Sequence, residues 1–339
     1  MTAPPAKSNR WRSLLQNLGI SAAVFLLCLV SLELGLRLAG YGNLEVYDPD
    51  PKLYWKLRPN QDCYTKVDHK PVHINSRGTR GPEFDLERST NVIRILSLGD
   101  SRTFGWGLSE EETYSHRLQE LLAAHLNHPV QVINAGVNAW SYEQMFVYFR
   151  DIALQYHPDV VVLGEANLWT QFSEHNSPEF VKTFMRRVRL KNLLRRSSIY
   201  HYFIELKLKN YYERYRVKFI PVDPSGDVLF KAQQAANPDE RFQDAVRQFC
   251  ELALTNHVTP VLLYMPTADV LGSTNQPSIC RIKREISQQL KIPLVEAFQT
   301  GQADSKALYL EADPVHVNER GNEIIAKQLQ GVIAPIVSK

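Results

Sequence analysis

Residues 92–107 read VIRILSLGDSRTFGWG, an apolar run followed by a glycine-rich turn. The mostly apolar, β-branched run VIRILSL is followed at once by Gly99, Asp100 and Ser101. Such a run is typical of a strand that is buried on both faces of a parallel sheet. The stretch therefore predicts a buried strand that ends in a tight turn carrying a serine.

Four later runs have the same character: VQVIN (130–134), DVVVL (159–163), TPVLLYM (259–265) and IPLVEA (292–297). Helical patterns occupy 111–126, 141–156, 238–256 and 318–337. Strands alternating with helices predict a parallel sheet with helices on both faces. We therefore expect an α/β fold, a flavodoxin-like three-layer sandwich with about five central strands. Ligands bind such a sheet at the carboxyl ends of its strands, where Ser101 lies.

An apolar stretch near the N-terminus predicts one transmembrane helix. Residues 18–32 carry no charge, and only Glu33 and Arg37 interrupt the pattern as far as Leu38. As a helix, residues 18–38 would measure about 30 Å, the thickness of a bilayer core. The two charged residues are four apart and can pair on one helical face.

Basic residues precede this stretch, so we expect a cytoplasmic N-terminus and an exported remainder, anchored in the cell (inner) membrane. A cleaved signal peptide is one alternative, but no small-residue cleavage site follows Leu32. A buried core helix is the other, and the polar, proline-containing leader and the terminal position disfavour it. The expected organisation is a leader and anchor (1–40), a juxtamembrane extended segment (41–90) and a folded domain (91–339) with a basic helical insertion (170–235).

Charge is distributed unevenly along the chain. The 339 residues have a net charge of only +3, too little to indicate nucleic-acid binding, and 44% hydrophobic residues exclude a disordered chain. Residues 182–219, however, hold twelve Lys and Arg against two Glu. This segment is either a solvated helical lid over the domain or a basic amphipathic element that contacts anionic membrane lipid or an acidic glycan.

Three cysteines follow the apolar stretch: Cys63, Cys250 and Cys280. An odd number allows at most one disulfide, and their spacing does not suggest a metal site. We expect small buried side chains here, and no metal or cofactor.

The serine turn resembles a known catalytic motif. Gly99, Asp100, Ser101, Thr103, Gly105 and Gly107 match the GDSxTxGxG block of the SGNH (GDSL-type) hydrolase superfamily. The remaining blocks of that family are similar to INAGVNAWS (133–141), VVVLGEANLW (160–169) and DPVHVNERGNEIIA (313–326). The segment HINSRGTRGPEF (73–84) resembles membrane-anchored bacterial members. The resemblance implies a serine hydrolase that cleaves esters without a cofactor.

The residue types are consistent with that chemistry. A serine hydroxyl needs an adjacent base to act as a nucleophile, and an imidazole titrates near neutral pH. Ser101 is thus the expected nucleophile, His316 the base, and Asp313 the group that orients His316. The resemblance further implies an oxyanion hole made by the backbone N–H groups of Ser101 and Gly136 and by an asparagine amide.

The third block, GEANLW, departs from the family's usual GxND. One alignment puts Ala166 in the position of the oxyanion donor, and the other puts Asn167 there. We prefer Asn167, because Ala166 has no side-chain amide.

The expected function is hydrolysis of acyl or acetyl esters of an envelope lipid or glycan through an acyl-serine intermediate. Two alternatives remain open. The same three residues could pass an acetyl group to a polysaccharide, or the chain could be a non-catalytic anchored protein that binds glycan or lipid.

Overall fold

The computed structural model describes residues 8–89, 91–166, 178–217, 238–271, 277–298, 305–311 and 313–338. The helices are α1 (Ser8–Leu38), α2 (Ser101–Phe104), α3 (Tyr114–Leu126), α4 (Tyr142–Asp151), α5 (Pro178–Leu194), α6 (Ser198–Val217), α7 (Pro238–Thr255), α8 (Ala268–Leu271), α9 (Ser278–Leu290) and α10 (Glu319–Val337). The strands are β1 (Tyr47–Asp50), β2 (Tyr54–Leu57), β3 (Gln61–Tyr64), β4 (Pro71–Ile74), β5 (Ile93–Leu98), β6 (Val130–Asn134), β7 (Val160–Leu163), β8 (Thr259–Tyr264) and β9 (Leu294–Glu296).

The last five strands form one parallel sheet in the order β6-β5-β7-β8-β9. This is the flavodoxin-like strand order, which places the end of β5 beside the point where the winding reverses. All five strands were expected from their apolar runs. The α/β fold class is confirmed.

Helices cover both faces of this sheet. Along β7, Val161 and Leu163 belong to the hydrophobic core beneath α4, α7 and α9. Val160 and Val162 belong to the opposite core, beneath α3 and α10. The alternation buries the strand on both sides, so the three-layer sandwich follows directly from its uninterrupted apolar sequence.

Residues 41–90, expected to be an extended juxtamembrane segment, form two antiparallel hairpins, β1–β2 and β3–β4. Their inward side chains, among them Leu57, Val72 and Ile74, join the core beneath α4. Arg80 then makes a β-bridge with Asn134 at the end of β6. The segment therefore contributes to the folded body in addition to linking it to α1.

Helix α1 is 31 residues long, and its side chains are largely exposed. Its segment Trp11–Leu38 has a mean hydropathy of 2.1, long and apolar enough to be a membrane span or a signal sequence. Glu33 and Arg37 form the expected ion pair, at 3.0 Å. Helices α5 and α6 lie within residues 170–235, where a basic helical insertion was expected, and α6 packs against α1.

The cysteines are free thiols, and Cys63, Cys250 and Cys280 are buried.

Candidate active site

The turn after β5 presents Ser101 at the start of α2. Asp100 caps this helix: its carboxylate accepts a hydrogen bond of 2.9 Å from the Arg102 N–H. Gly105 ends the helix with φ +89°, a conformation that favours glycine. The four-residue helix is thus closed at both ends by residues of the GDSxTxGxG block.

Arg102, which pairs with Asp100, also holds the turn against the body. Their side chains lie 2.9 Å apart and are largely buried, and the Arg102 guanidinium donates to the Met265 carbonyl at 3.3 Å. Burial alone would lower the pKa of the Arg102 guanidinium, but the negative charges of Asp100 and Glu165 raise it above its ordinary value. The Asp100 N–H donates to the Glu165 carbonyl at 2.8 Å, which ties the serine turn to the end of β7.

Three predicted catalytic residues come together in one chain of hydrogen bonds. Ser101 Oγ lies 2.8 Å from His316 Nε2. On the other side of the ring, His316 Nδ1 lies 2.7 Å from Asp313 Oδ2. The loop before α10 supplies both His316 and Asp313, which are three residues apart, and no further strand is needed to deliver the carboxylate. This geometry lets a proton move from the serine to a base that is already oriented.

The His316 ring and the local backbone together favour the ionised form of Asp313. Its other oxygen, Oδ1, accepts hydrogen bonds from the N–H groups of Val315 (2.9 Å) and His316 (3.2 Å). Burial alone would raise the pKa of Asp313, but the His316 ring and these hydrogen bonds outweigh it and lower that pKa. The carboxylate therefore favours a proton on Nδ1 and leaves Nε2 free to accept one.

An aromatic ring packs on the catalytic imidazole. Trp106 is stacked on His316, with ring centroids 5.1 Å apart and an angle of 16° between the planes. On Trp106 in turn lies the Lys66 ammonium, 4.4 Å from the ring centroid. A stacked ring restricts rotation of His316, and a cation over an indole is a favourable contact. Sequence reasoning missed both residues; a tryptophan inside the motif was the available signal for Trp106.

The predicted oxyanion residues are only partly described. Gly136 lies directly against α2: a Cβ there would approach the Phe104 nitrogen to 2.2 Å. A side chain at this position would therefore displace the turn that carries Ser101. The Gly136 N–H donates to the Asn134 side chain at 3.1 Å. Asn167 lies outside the described residues, and its predicted role stays a prediction.

Ala166, the alternative in the third block, is buried. The glutamate before it, Glu165, is also buried and was not expected to have a role. Its Oε1 pairs with the fully buried Lys283 at 2.8 Å and accepts the Met265 N–H at 3.0 Å. Its Oε2 accepts a hydrogen bond from the Tyr142 hydroxyl at 3.2 Å. Burial lowers the pKa of Lys283, although Glu165 acts in the opposite direction.

Arg80 supports the far end of α2. Its guanidinium donates to the carbonyls of Phe104 (2.7 Å), Gly105 (2.9 Å) and Leu108 (2.7 Å). Burial lowers its pKa to about 10. The last carbonyls of a short helix have no hydrogen-bond donors within the helix, and the Arg80 guanidinium supplies these donors.

Within the described residues, no three His, Cys, Asp or Glu side chains come together as a metal site would require.

Together, the doubly wound sheet and the Ser101–His316–Asp313 geometry define a serine hydrolase. The GDSL-like Lipase/Acylhydrolase family model matches residues 97–324, more than half of the chain. The chain belongs to this family and is a serine ester hydrolase.

The solved structures that are similar to the chain have low sequence identity to it. A lipase/acylhydrolase from Enterococcus faecalis is 13% identical, with a TM-score of 0.45 over 72% of this chain and 96% of that one. A psychrotrophic esterase from Pseudoalteromonas sp. is 15% identical, with a TM-score of 0.43 over 73% and 99%. An acetyl-xylooligosaccharide esterase variant from Geobacillus stearmophilus is 15% identical, with a TM-score of 0.43 over 74% and 96%. No curated protein sequence matches the chain significantly.

Proposed function

We propose that this protein is a single-pass membrane protein whose extracytoplasmic domain hydrolyses acyl or acetyl esters of an envelope lipid or glycan. The observation that carries the catalytic part is the Ser101–His316–Asp313 chain of hydrogen bonds, at 2.8 and 2.7 Å. The anchor part is supported by the apolar segment Trp11–Leu38 and the basic residues before it. In this proposal α1 spans the cell (inner) membrane, and the N-terminus lies in the cytoplasm.

The first half of the reaction acylates the enzyme. Ser101 Oγ attacks the ester carbonyl carbon while His316 Nε2 takes the hydroxyl proton. Asp313 holds the ring and stabilises the imidazolium that forms. When the tetrahedral intermediate collapses, the ester C–O bond breaks and His316 returns the proton to the departing alcohol.

The second half releases the acid. His316 takes a proton from water, the hydroxide attacks the acyl-serine carbonyl, and the proton returns to Ser101 Oγ as the carboxylic acid leaves. The negative oxygen of each intermediate needs fixed hydrogen-bond donors. We assign this role to the N–H groups of Ser101 and Gly136 and to the Asn167 amide. The Gly136 N–H must then exchange its bond to Asn134 for one to the substrate.

A fluorophosphonate probe tests this assignment on the full chain in mild detergent. The probe should label Ser101, and His316→Ala should abolish the labelling. Ester hydrolysis in Ser101→Ala should fall by about 10⁴-fold or more. The matched control is Ser338→Ala at the end of α10, which should behave like the unsubstituted chain. Equal labelling of Ser101→Ala would place the reactive nucleophile elsewhere, and no labelling of the natural chain would favour a non-catalytic protein. Either result overturns the assignment.

A further inference from the structure

Among the described residues outside α1, helices α5 and α6 carry most of the exposed large hydrophobic side chains. Among the described residues beyond α1, eight large hydrophobic side chains are exposed, and six of them lie on this helix pair. We give these six exposed side chains, which lie on two helices joined by a short turn, the name hairpin face: Leu190, Leu193, Leu194, Tyr202, Phe203 and Leu206. Leucines 190, 193 and 194 follow the i, i+3, i+4 spacing of one helical side. Water is an unfavourable environment for such a concentration of apolar surface.

Basic residues surround the hairpin face. Within residues 182–210, every exposed charged side chain is basic. There are eight of them: Lys182, Arg186, Arg187, Arg189, Lys191, Arg196, Lys207 and Lys209. The acidic residue of this range, Glu205, is buried and bound to His69 and Lys209. An apolar face bordered by cations is the composition that binds the surface of an anionic bilayer.

The turn between α5 and α6 is fixed to the end of α1. Glu33 accepts hydrogen bonds from the Ser198 N–H (2.8 Å), the Ile199 N–H (3.1 Å) and the Ser197 hydroxyl (2.9 Å). A glutamate of α1 therefore satisfies the first N–H groups of α6, as an N-cap side chain does. Arg37, one turn further along, donates to the Arg196 carbonyl at 3.1 Å. The start of α6 is thus held beside the last two turns of α1.

The length of α1 determines where the contact between its end and the α5–α6 turn lies relative to the membrane. Its 28-residue apolar segment measures about 42 Å, whereas a bilayer core is about 30 Å thick. If α1 spans the membrane, its final turns, with Glu33 and Arg37, emerge at the lipid surface. The hairpin face begins within a few residues of this junction, since Leu193 and Leu194 precede the turn and Phe203 follows it.

We propose that the hairpin face lies on the lipid bilayer that α1 spans, with its apolar side chains among the acyl chains and its basic residues at anionic headgroups. The inference rests on the proposed anchor. The occupant is lipid because the face begins beside the end of α1 and because every exposed charged side chain within residues 182–210 is basic.

The same contacts give the catalytic body a fixed orientation. Asn192 of α5 accepts the Tyr47 N–H at 3.0 Å and donates to the Tyr47 carbonyl. Arg195 in the turn pairs with Glu45 at 3.5 Å. Lipid contact at α5 and α6 would therefore hold the sheet, and the serine turn at its edge, at one angle to the membrane.

Environment-sensitive labels on the full chain test the proposal. The chain is reconstituted in nanodiscs of phosphatidylethanolamine and phosphatidylglycerol, in a Cys28→Ala background. Burial raises the pKa of the Cys250 thiol to about 12 and that of Cys280 to about 11, and Cys63 is shifted in the same direction, so the native thiols should not react near neutral pH. A fluorophore is attached in turn at Leu193→Cys and Phe203→Cys. The matched control is Leu254→Cys, an exposed leucine of α7.

Doxyl lipids should quench the labels at 193 and 203 at least about threefold more than the label at 254, and aqueous iodide should quench them less. Labels at 193 and 203 that are as open to iodide as the control overturn the lipid contact. So do labels shielded from both quenchers, which would mean that protein covers the face. Flotation on a density gradient tests the anchor separately. A chain that hydrolyses a soluble ester but does not float with the lipid would overturn both the anchor and the lipid contact. A chain that does float with the lipid, but whose labels at 193 and 203 are exposed to water, would overturn the lipid contact alone.

Discussion

Asp313 contacts His316 with both carboxylate oxygens, one at the ring and one at the backbone N–H. In Asp313→Asn, an amide group would face Nδ1 and favour the wrong tautomer, while the side-chain volume stays the same. We expect kcat for a soluble ester to fall by about 10⁴-fold with little change in KM, as for other Ser-His-Asp sites. Steady-state kinetics on the detergent-solubilised chain provide the measurement. A decrease in kcat of less than about tenfold would mean that His316 does not need this carboxylate.

The same substitution has a consequence for stability. Because the pKa of Asp313 is lowered from 3.8 on folding, the unfolded chain binds its proton more tightly than the folded chain does. The stabilisation is therefore complete above the unfolded pKa and is lost as pH falls through the lower folded pKa. The difference in unfolding free energy between the natural chain and Asp313→Asn should shrink between pH 6 and pH 2. A difference that stays constant over this range contradicts the lowered pKa of Asp313.

A buried ion pair joins three secondary-structure elements. Glu165 follows β7, Lys283 belongs to α9, and Met265 follows β8. In Lys283→Met, the Glu165 carboxylate would stay buried without its cation, and we expect a loss of about 3–5 kcal/mol of unfolding free energy. Chemical denaturation of the two chains measures it.

The matched variant adds Glu165→Gln to Lys283→Met. Glutamine keeps an oxygen for the Met265 N–H and removes the buried charge, so the double variant should recover most of the lost stability. If it is no more stable than Lys283→Met alone, the defect is one of packing, and Glu165 needs no counterion.

Some of these elements and residues could be predicted from the sequence, and others could not. The sheet strands could be predicted because burial on both faces leaves an apolar run, and Ser101, Asp313 and His316 could be predicted because motif blocks surround them. Lys283 could not, since it lies 118 positions from Glu165 and contacts it only through the fold. The hairpins of residues 41–90 were missed as parts of the core because four-residue strands show too little alternation to mark a buried face.

A line of contacts connects the catalytic base with the turn between α5 and α6. Trp106 stacks on His316, and Lys66 lies over Trp106. Lys66 then pairs with the buried Glu45 at 2.5 Å, and Glu45 also pairs with Arg195 in the α5–α6 turn. Burial alone would raise the pKa of Glu45, but the charges of Lys66 and Arg195 lower it. Segments far apart in sequence thus depend on one carboxylate.

This shared carboxylate predicts coupling between Lys66 and Arg195. Either Lys66→Met or Arg195→Met leaves Glu45 with one cation, but the double variant leaves a buried carboxylate with none. The double variant should therefore lose more unfolding free energy than the two single losses together, by about 1–3 kcal/mol. Urea denaturation of the four chains in detergent measures the difference. Additivity within about 0.5 kcal/mol would mean that the residues before β5 and the α5–α6 pair are stabilised independently, so lipid contact at the hairpin face could not orient the active site through Glu45.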